Sequence, residues 1–159
     1  MNRYCLLLSS MLLGLLMGCT DPNVVYNGFE ELEDGLWYVE HKPTFRVQID
    51  DTTQLYKISY LLRNAHQYPY YNLYLERTLT DPDGKRMASR LEEVYLSDEL
   101  SGKPRGQGLG DLFDHTIVIE QAYRFPKQGA YTLTVGQAMR QNPLPYVLSI
   151  GFKVEKVTP

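Results

Sequence analysis

Leu148-Ser149-Ile150-Gly151-Phe152-Lys153-Val154-Glu155 sets an apolar side chain at every second position, with Ser, Gly, Lys and Glu between them. Successive side chains of a strand leave opposite faces, so this period of two predicts a strand with one face buried. Tyr131-Thr132-Leu133-Thr134-Val135-Gly136 carries the same pattern. Working outward, Phe45, Val47 and Ile49 alternate with Arg46, Gln48 and Asp50, while Tyr56, Ile58, Tyr60 and Leu62 alternate with Lys57, Ser59 and Arg63. Val24 to Phe29, Asn72 to Thr80, Met87 to Leu96 and His115 to Tyr123 repeat it less regularly. The count comes to about eight strands, above the five or six of a mean sheet.

Turn-forming residues separate these segments at Asp50-Asp51, Gln67 to Pro69, Asp81-Pro82-Asp83-Gly84, Gly106 to Gly110, Pro126 to Gly129 and Asn142-Pro143. No stretch has the spacing of an amphipathic helix of three or more turns; Ala138 to Gln141 and Ser97 to Leu100 are each long enough for a single turn at most. Short strands at this spacing predict an all-β fold, an antiparallel β-sandwich of Ig-like or jelly-roll-like type. Charged residues interrupt the pattern between Ala88 and Leu100, which marks that element as an edge strand or part loop.

The first 18 residues read as an address. Arg3 opens a short basic start, an apolar run extends from Leu6 to Met17, and Gly18 precedes Cys19. The run is about a dozen residues, too short to cross a bilayer as a helix, which takes about 20. Leu16-Met17-Gly18-Cys19 has the form of a lipoprotein cleavage and lipidation site, so residues 1–18 are expected to be a signal peptide, 19–27 a lipidated tether and 28–159 the folded domain. Each buried acyl methylene contributes about 0.8 kcal/mol, so two or three chains on Cys19 would hold the protein at a membrane almost permanently.

Cleavage leaves 141 of the 159 residues, and loss of Arg3 moves the formal charge from −3 to −4. That length suits one domain with a core of its own. The mixed, mildly acidic chain has no basic stripe for nucleic acid and no polybasic patch for anionic lipid. Cys5 falls in the leader and Cys19 is taken by lipid, so the mature domain has no disulfide, no thiol nucleophile and no Cys-based zinc site. The 13 Tyr and 5 Phe supply large rigid pieces for a core without covalent staples.

Candidate sites are few. Arg105-Gly106-Gln107-Gly108-Leu109-Gly110-Asp111-Leu112-Phe113-Asp114 is the most unusual segment, since alternate glycines open backbone shapes closed to other residues. It lacks the strand-to-helix setting of a nucleotide loop and the ligand spacing of a calcium loop around Asp111 and Asp114. It reads as a structural or partner-binding loop. Asp81-Pro82-Asp83-Gly84 reads as a turn. His41, His66 and His115 lie too far apart for a zinc motif, and Glu30-Glu31, Asp50-Asp51 and Glu92-Glu93 point to opposite faces as solvated charge. Trp37 is expected to plug one end of the sandwich or, if exposed, to anchor a partner. Gln137, at an inward position, needs partners that nearby turn amides could supply; Arg140 would be free to bind a carboxylate. Tyr68, Tyr70, Tyr71 and Tyr74 could stack on sugar rings if exposed in a row, or else pack in the core. No metal, cofactor or catalytic constellation emerges.

Taken together, the site at Cys19, Tyr71-Asn72-Leu73-Tyr74-Leu75 before Asp81-Pro82-Asp83-Gly84, Gly108-Leu109-Gly110-Asp111 with Asp114, Gly129-Ala130-Tyr131, Gln137-Ala138-Met139-Arg140 and Gly151-Phe152-Lys153-Val154-Glu155-Lys156 resembles the gliding-motility lipoprotein family GldH of the Bacteroidetes. The resemblance implies a non-catalytic outer-membrane lipoprotein linked to gliding and to type IX secretion, with other envelope or motility lipoproteins as partners. It carries over no catalytic residues. Thr20-Asp21-Pro22-Asn23 lacks the dense acidic run that goes with surface export in these bacteria, which points to the periplasmic face of the outer membrane. The alternative is a glycan- or ligand-binding lipoprotein of a nutrient-uptake system.

Overall fold

Residues 21–157 are described by the computed structural model; the predicted signal peptide and Cys19 lie outside them. In chain order the strands are β1 (Val24–Glu31), β2 (Leu36–Trp37), β3 (Thr44–Ile49), β4 (Tyr56–Ala65), β5 (Asn72–Thr80), β6 (Arg86–Tyr95), β7 (Gln107–Leu109), β8 (Leu112–Tyr123), β9 (Gly129–Gln137), β10 (Leu144–Pro145) and β11 (Val147–Lys156). Among the described residues the only helical element is a 3-10 turn, Glu33–Gly35. The long strands coincide with the eight alternating segments of the sequence. β2, β7 and β10 are two or three residues long, too short to show a period.

All pairings are antiparallel. One sheet has the order β1-β11-β4-β8-β7, a second β3-β9-β5-β6, and β10 with β2 forms a small ribbon. The two large sheets face each other as an open sandwich. Their inner faces are the apolar sets read from the sequence: Ile150, Phe152 and Val154 from β11 and Ile58 and Tyr60 from β4 meet Val47 and Ile49 from β3 and Leu73 and Leu75 from β5, all with no exposed surface. Each such side chain contributes about 1.5–3 kcal/mol on burial. Phe45 meets Phe152 edge-on across the sandwich at 5.5 Å between ring centres, and Phe125 meets Tyr131 at 4.6 Å.

The ladder also fixes which loops share an end. The start of β1 lies beside the end of β11, where the Lys156 amide donates to the Asn23 carbonyl at 2.8 Å. The Asp81–Gly84 turn joins β5 to β6 at that same end, with Gly129 tucked against Pro82. The opposite end gathers the finish of β4, β6 and β9 and the beginning of β5, β8 and β11. β1 spans eight residues, so the two ends stand about 26 Å apart.

Candidate functional site

The loops at the end remote from β1's start are held by buried side chains. Trp37 has no exposed surface, and its indole N–H donates to the His41 carbonyl at 2.8 Å. It is therefore the plug of that end and cannot anchor a partner. Gln137 is also buried, and its amide is satisfied as its inward position demands: Oε1 accepts from the Met139 amide at 2.7 Å, and Nε2 donates to the carbonyls of Trp37 and Gln141. Arg140 is exposed, and no ion pair among the described residues includes it.

The glycine-rich segment is a hairpin, not a loop. Gln107, Gly108 and Leu109 of β7 pair with Asp114, Phe113 and Leu112 of β8, leaving Gly110 and Asp111 as the turn. Gly110 sits at φ +65°, open to glycine at little cost. Gly106 and Gly108 are needed for space: a Cβ on Gly108 would lie 2.6 Å from the Phe113 ring, and one on Gly106 2.8 Å from the His115 ring. Asp111 is exposed and holds the hairpin down through its carbonyl, which accepts from the His66 amide at 2.7 Å. Asp114 receives a two-pronged bond from Arg63, Nε at 2.6 Å and Nη2 at 2.9 Å, so the two acids engage different partners and do not converge. Arg63 holds the Asp114 carboxyl below its ordinary pKa, against burial.

Beside this hairpin the tyrosines form the wall of a cleft of about 280 Å³, with Tyr68, Tyr70, Tyr71 and Phe113 around it and Asp98 and Glu99 at its margin. Tyr68 is buried, its hydroxyl donating to the Asn72 carbonyl at 2.9 Å; Tyr70 is partly exposed, its hydroxyl donating to Gln141 at 2.7 Å. Tyr71 stacks on Tyr95 at 6.1 Å, and the charge of Glu99 raises the Tyr71 hydroxyl's pKa. Tyr95 belongs to a second cleft of about 400 Å³, shared with Arg105, Gly106 and His115. The Arg105 guanidinium rests 5.4 Å from the centre of the Tyr95 ring. Thus the glycine hairpin and the tyrosines do meet, while burial of Tyr68 breaks the exposed row that sugar stacking would require.

A buried charge cluster had no place in the sequence reading. Arg77 is 3 % exposed, and its guanidinium binds Glu92 at 2.8 and 3.2 Å and Glu120 at 3.2 Å. Tyr60 donates to Glu92 at 2.5 Å. Burial alone would lower the Arg77 pKa, but bonding to Glu92 and the charges of Glu92 and Tyr60 outweigh it and raise it. Burial first, then Glu92, drives the Tyr60 hydroxyl up. The cluster ties β5 and β6 of one sheet to β4 and β8 of the other, so Glu92 is not the solvated charge expected of it, although Glu93 does face the other way and is exposed. The signal was Arg77 at the inward position of Leu73-Leu75-Arg77-Leu79. Among the described residues no three His, Cys, Asp or Glu side chains are grouped to hold a metal.

Comparison with known proteins matches residues 24–154 to the family model described as GldH lipoprotein. The chain is 28 % identical over 149 residues to the gliding motility lipoprotein GldH homolog of Christiangramia forsetii, covering 89 % of this chain and 90 % of that protein. It is 25 % identical over 162 residues to the gliding motility lipoprotein GldH of Flavobacterium johnsoniae, covering 98 % and 96 %. No solved structure matches it.

Proposed function

Since the chain belongs to the GldH lipoprotein family, we propose that it is a non-catalytic, lipid-anchored component of the cell envelope that docks on other proteins of a gliding-motility or type IX secretion-linked machinery. The observation that carries this reading is the family match across nearly the whole folded domain, residues 24–154. Two features of the chain support it. Cys19 closes a lipoprotein-like leader, and both aromatic clefts lie at the end of the sandwich remote from the start of β1, where a partner could reach them. Lipid on Cys19 would fix the protein to the outer membrane, and the sparse acidity after Cys19 favours the periplasmic face. Burial of Tyr68 leaves the glycan-uptake alternative less supported.

The test is an envelope cross-linking pull-down of the native lipoprotein beside a Cys19→Ala control, read by mass spectrometry, with surface proteolysis on the same cells. Anchor-dependent enrichment of motility or secretion proteins, with resistance to external protease, is the expected result. Failure to enrich any reproducible protein defeats the docking reading; enrichment of glycan-uptake proteins with protease sensitivity replaces it by the alternative.

A further inference from the structure

The two clefts differ in one chemical respect. In the larger, a guanidinium already lies over tyrosine, Arg105 on Tyr95. The smaller is bounded by the other ring of that stack, Tyr71, together with Tyr68, Tyr70 and Phe113, yet among the described residues no Lys or Arg lines it and two carboxylates, Asp98 and Glu99, do. Its tyrosine hydroxyls are engaged, Tyr68 with the Asn72 carbonyl, Tyr70 with Gln141 and Tyr71 with Glu99, so what they leave to the space is chiefly their ring faces, beside the acid groups and the His66 ring. Asp98 is kept ionised by the amide and hydroxyl of Ser101, which lower its pKa, and its other carboxylate oxygen already lies 4.0 Å from Arg105, so Glu99 is the carboxylate that faces an incoming cation. A ring face is attractive to a cation within about 6 Å, the more so when a carboxylate stands beside it.

We propose that this cleft receives one lysine or arginine side chain from a partner protein, held between the tyrosine rings and Glu99 as Arg105 is held over Tyr95. The volume, about 280 Å³, suits one long side chain and leaves no room for a folded element. The inference rests on the docking reading and adds the chemistry that the partner must bring.

The test uses the full-length lipoprotein in detergent micelles and the blocked peptide Gly-Gly-Arg-Gly-Gly, with the lysine peptide and the uncharged citrulline peptide beside it. Saturation-transfer NMR is expected to show contact at the arginine side-chain methylenes, weak contact or none for citrulline, and a loss of about fivefold or more in Tyr71→Ala and in Glu99→Gln. Glu99→Gln is the safer variant, since Glu99 is exposed and Asp98 is needed for the turn to Ser101. Equal binding of citrulline, unchanged binding in both variants, or displacement of the peptide by a neutral oligosaccharide overturns the proposal. The cross-linking experiment repeated with Glu99→Gln separates the two readings. Partners lost with the peptide support both; partners kept in full while the peptide is lost overturn the cleft as the docking point and leave docking intact. Peptide bound with no partner on the wild-type protein defeats docking and, with it, a protein source for the cation.

Discussion

At the residue scale, Arg77 carries the largest single consequence. Its charge is out of water, so the pair with Glu92 gains little over an apolar replacement of both partners, but removal of one partner strands the other. Arg77→Ala is expected to cost about 3–5 kcal/mol in urea unfolding; a cost under about 1 kcal/mol would mean that water reaches Glu92 and Glu120 freely. His115 gives a pH dependence. Its ring is buried and bonded through Nε2 to Asn64 at 2.7 Å, and burial lowers its pKa against a small opposing pull from Asp114. The unfolded chain therefore takes the proton first as pH falls. Stability from this group is complete above about pH 6.5 and declines as pH drops through that value toward the lower folded pKa. His115→Gln should flatten the slope of unfolding free energy between about pH 7.5 and 5.5, whereas an unchanged slope would assign it to another group. Asp81, whose pKa is lowered chiefly by Lys127, and Asp114, lowered by Arg63, act in a separate window, their contribution present above about pH 4 and lost below it.

At the scale of elements, the alternation that marks β3, β4, β9 and β11 was legible because each buries one face along its whole length. β7 was not, because Gly108 leaves no side chain to show a period and the element pairs only three residues. The glycines do predict a cost: Gly108→Val would push a branched side chain into the Phe113 ring, detach β7 and destabilise the domain by about 1–3 kcal/mol. Faster amide exchange confined to β7 and the first residues of β8 would report it; unchanged exchange would show that Phe113 simply turns aside. Beyond its first three residues β8 runs on without β7 beside it. Register shifts against β4 fall in that uncovered part, near Glu120 and Tyr123, as bulges do where a sheet edge is kept from pairing with strangers. Of the candidate site, the role of Trp37 as a plug and the needs of Gln137 were readable from position. The meeting of the hairpin with Tyr71, and of Arg77 with Glu120, depends on strand order, which a period of two does not encode.

At the scale of the whole molecule, the separation of the two ends makes a geometric prediction. A lipid anchor before residue 21 would hold the Asp81–Gly84 turn close to the bilayer and the clefts about 26 Å farther away. With the lipoprotein in liposomes, a fluorophore on Asp83→Cys should transfer energy strongly to a labelled headgroup and one on Leu100→Cys, an exposed site beside the smaller cleft, distinctly less. Equal transfer from both would mean that the sandwich lies on its side.

The position of β1 has a mechanical meaning. Among the described residues β1 is an edge strand, paired to β11 alone from Val24 to Glu31 and antiparallel to it. Tension between a membrane anchor and a partner gripping the far end would run along the strand axes and slide β1 past β11, so the hydrogen bonds of the ladder would share the load and yield together. Had the chain joined the sheet from the other end, the same pull would peel β1 off one bond at a time. With β1 entering the sheet at this end, a pull applied at its start is borne by the whole β1–β11 ladder and not by one hydrogen bond at a time.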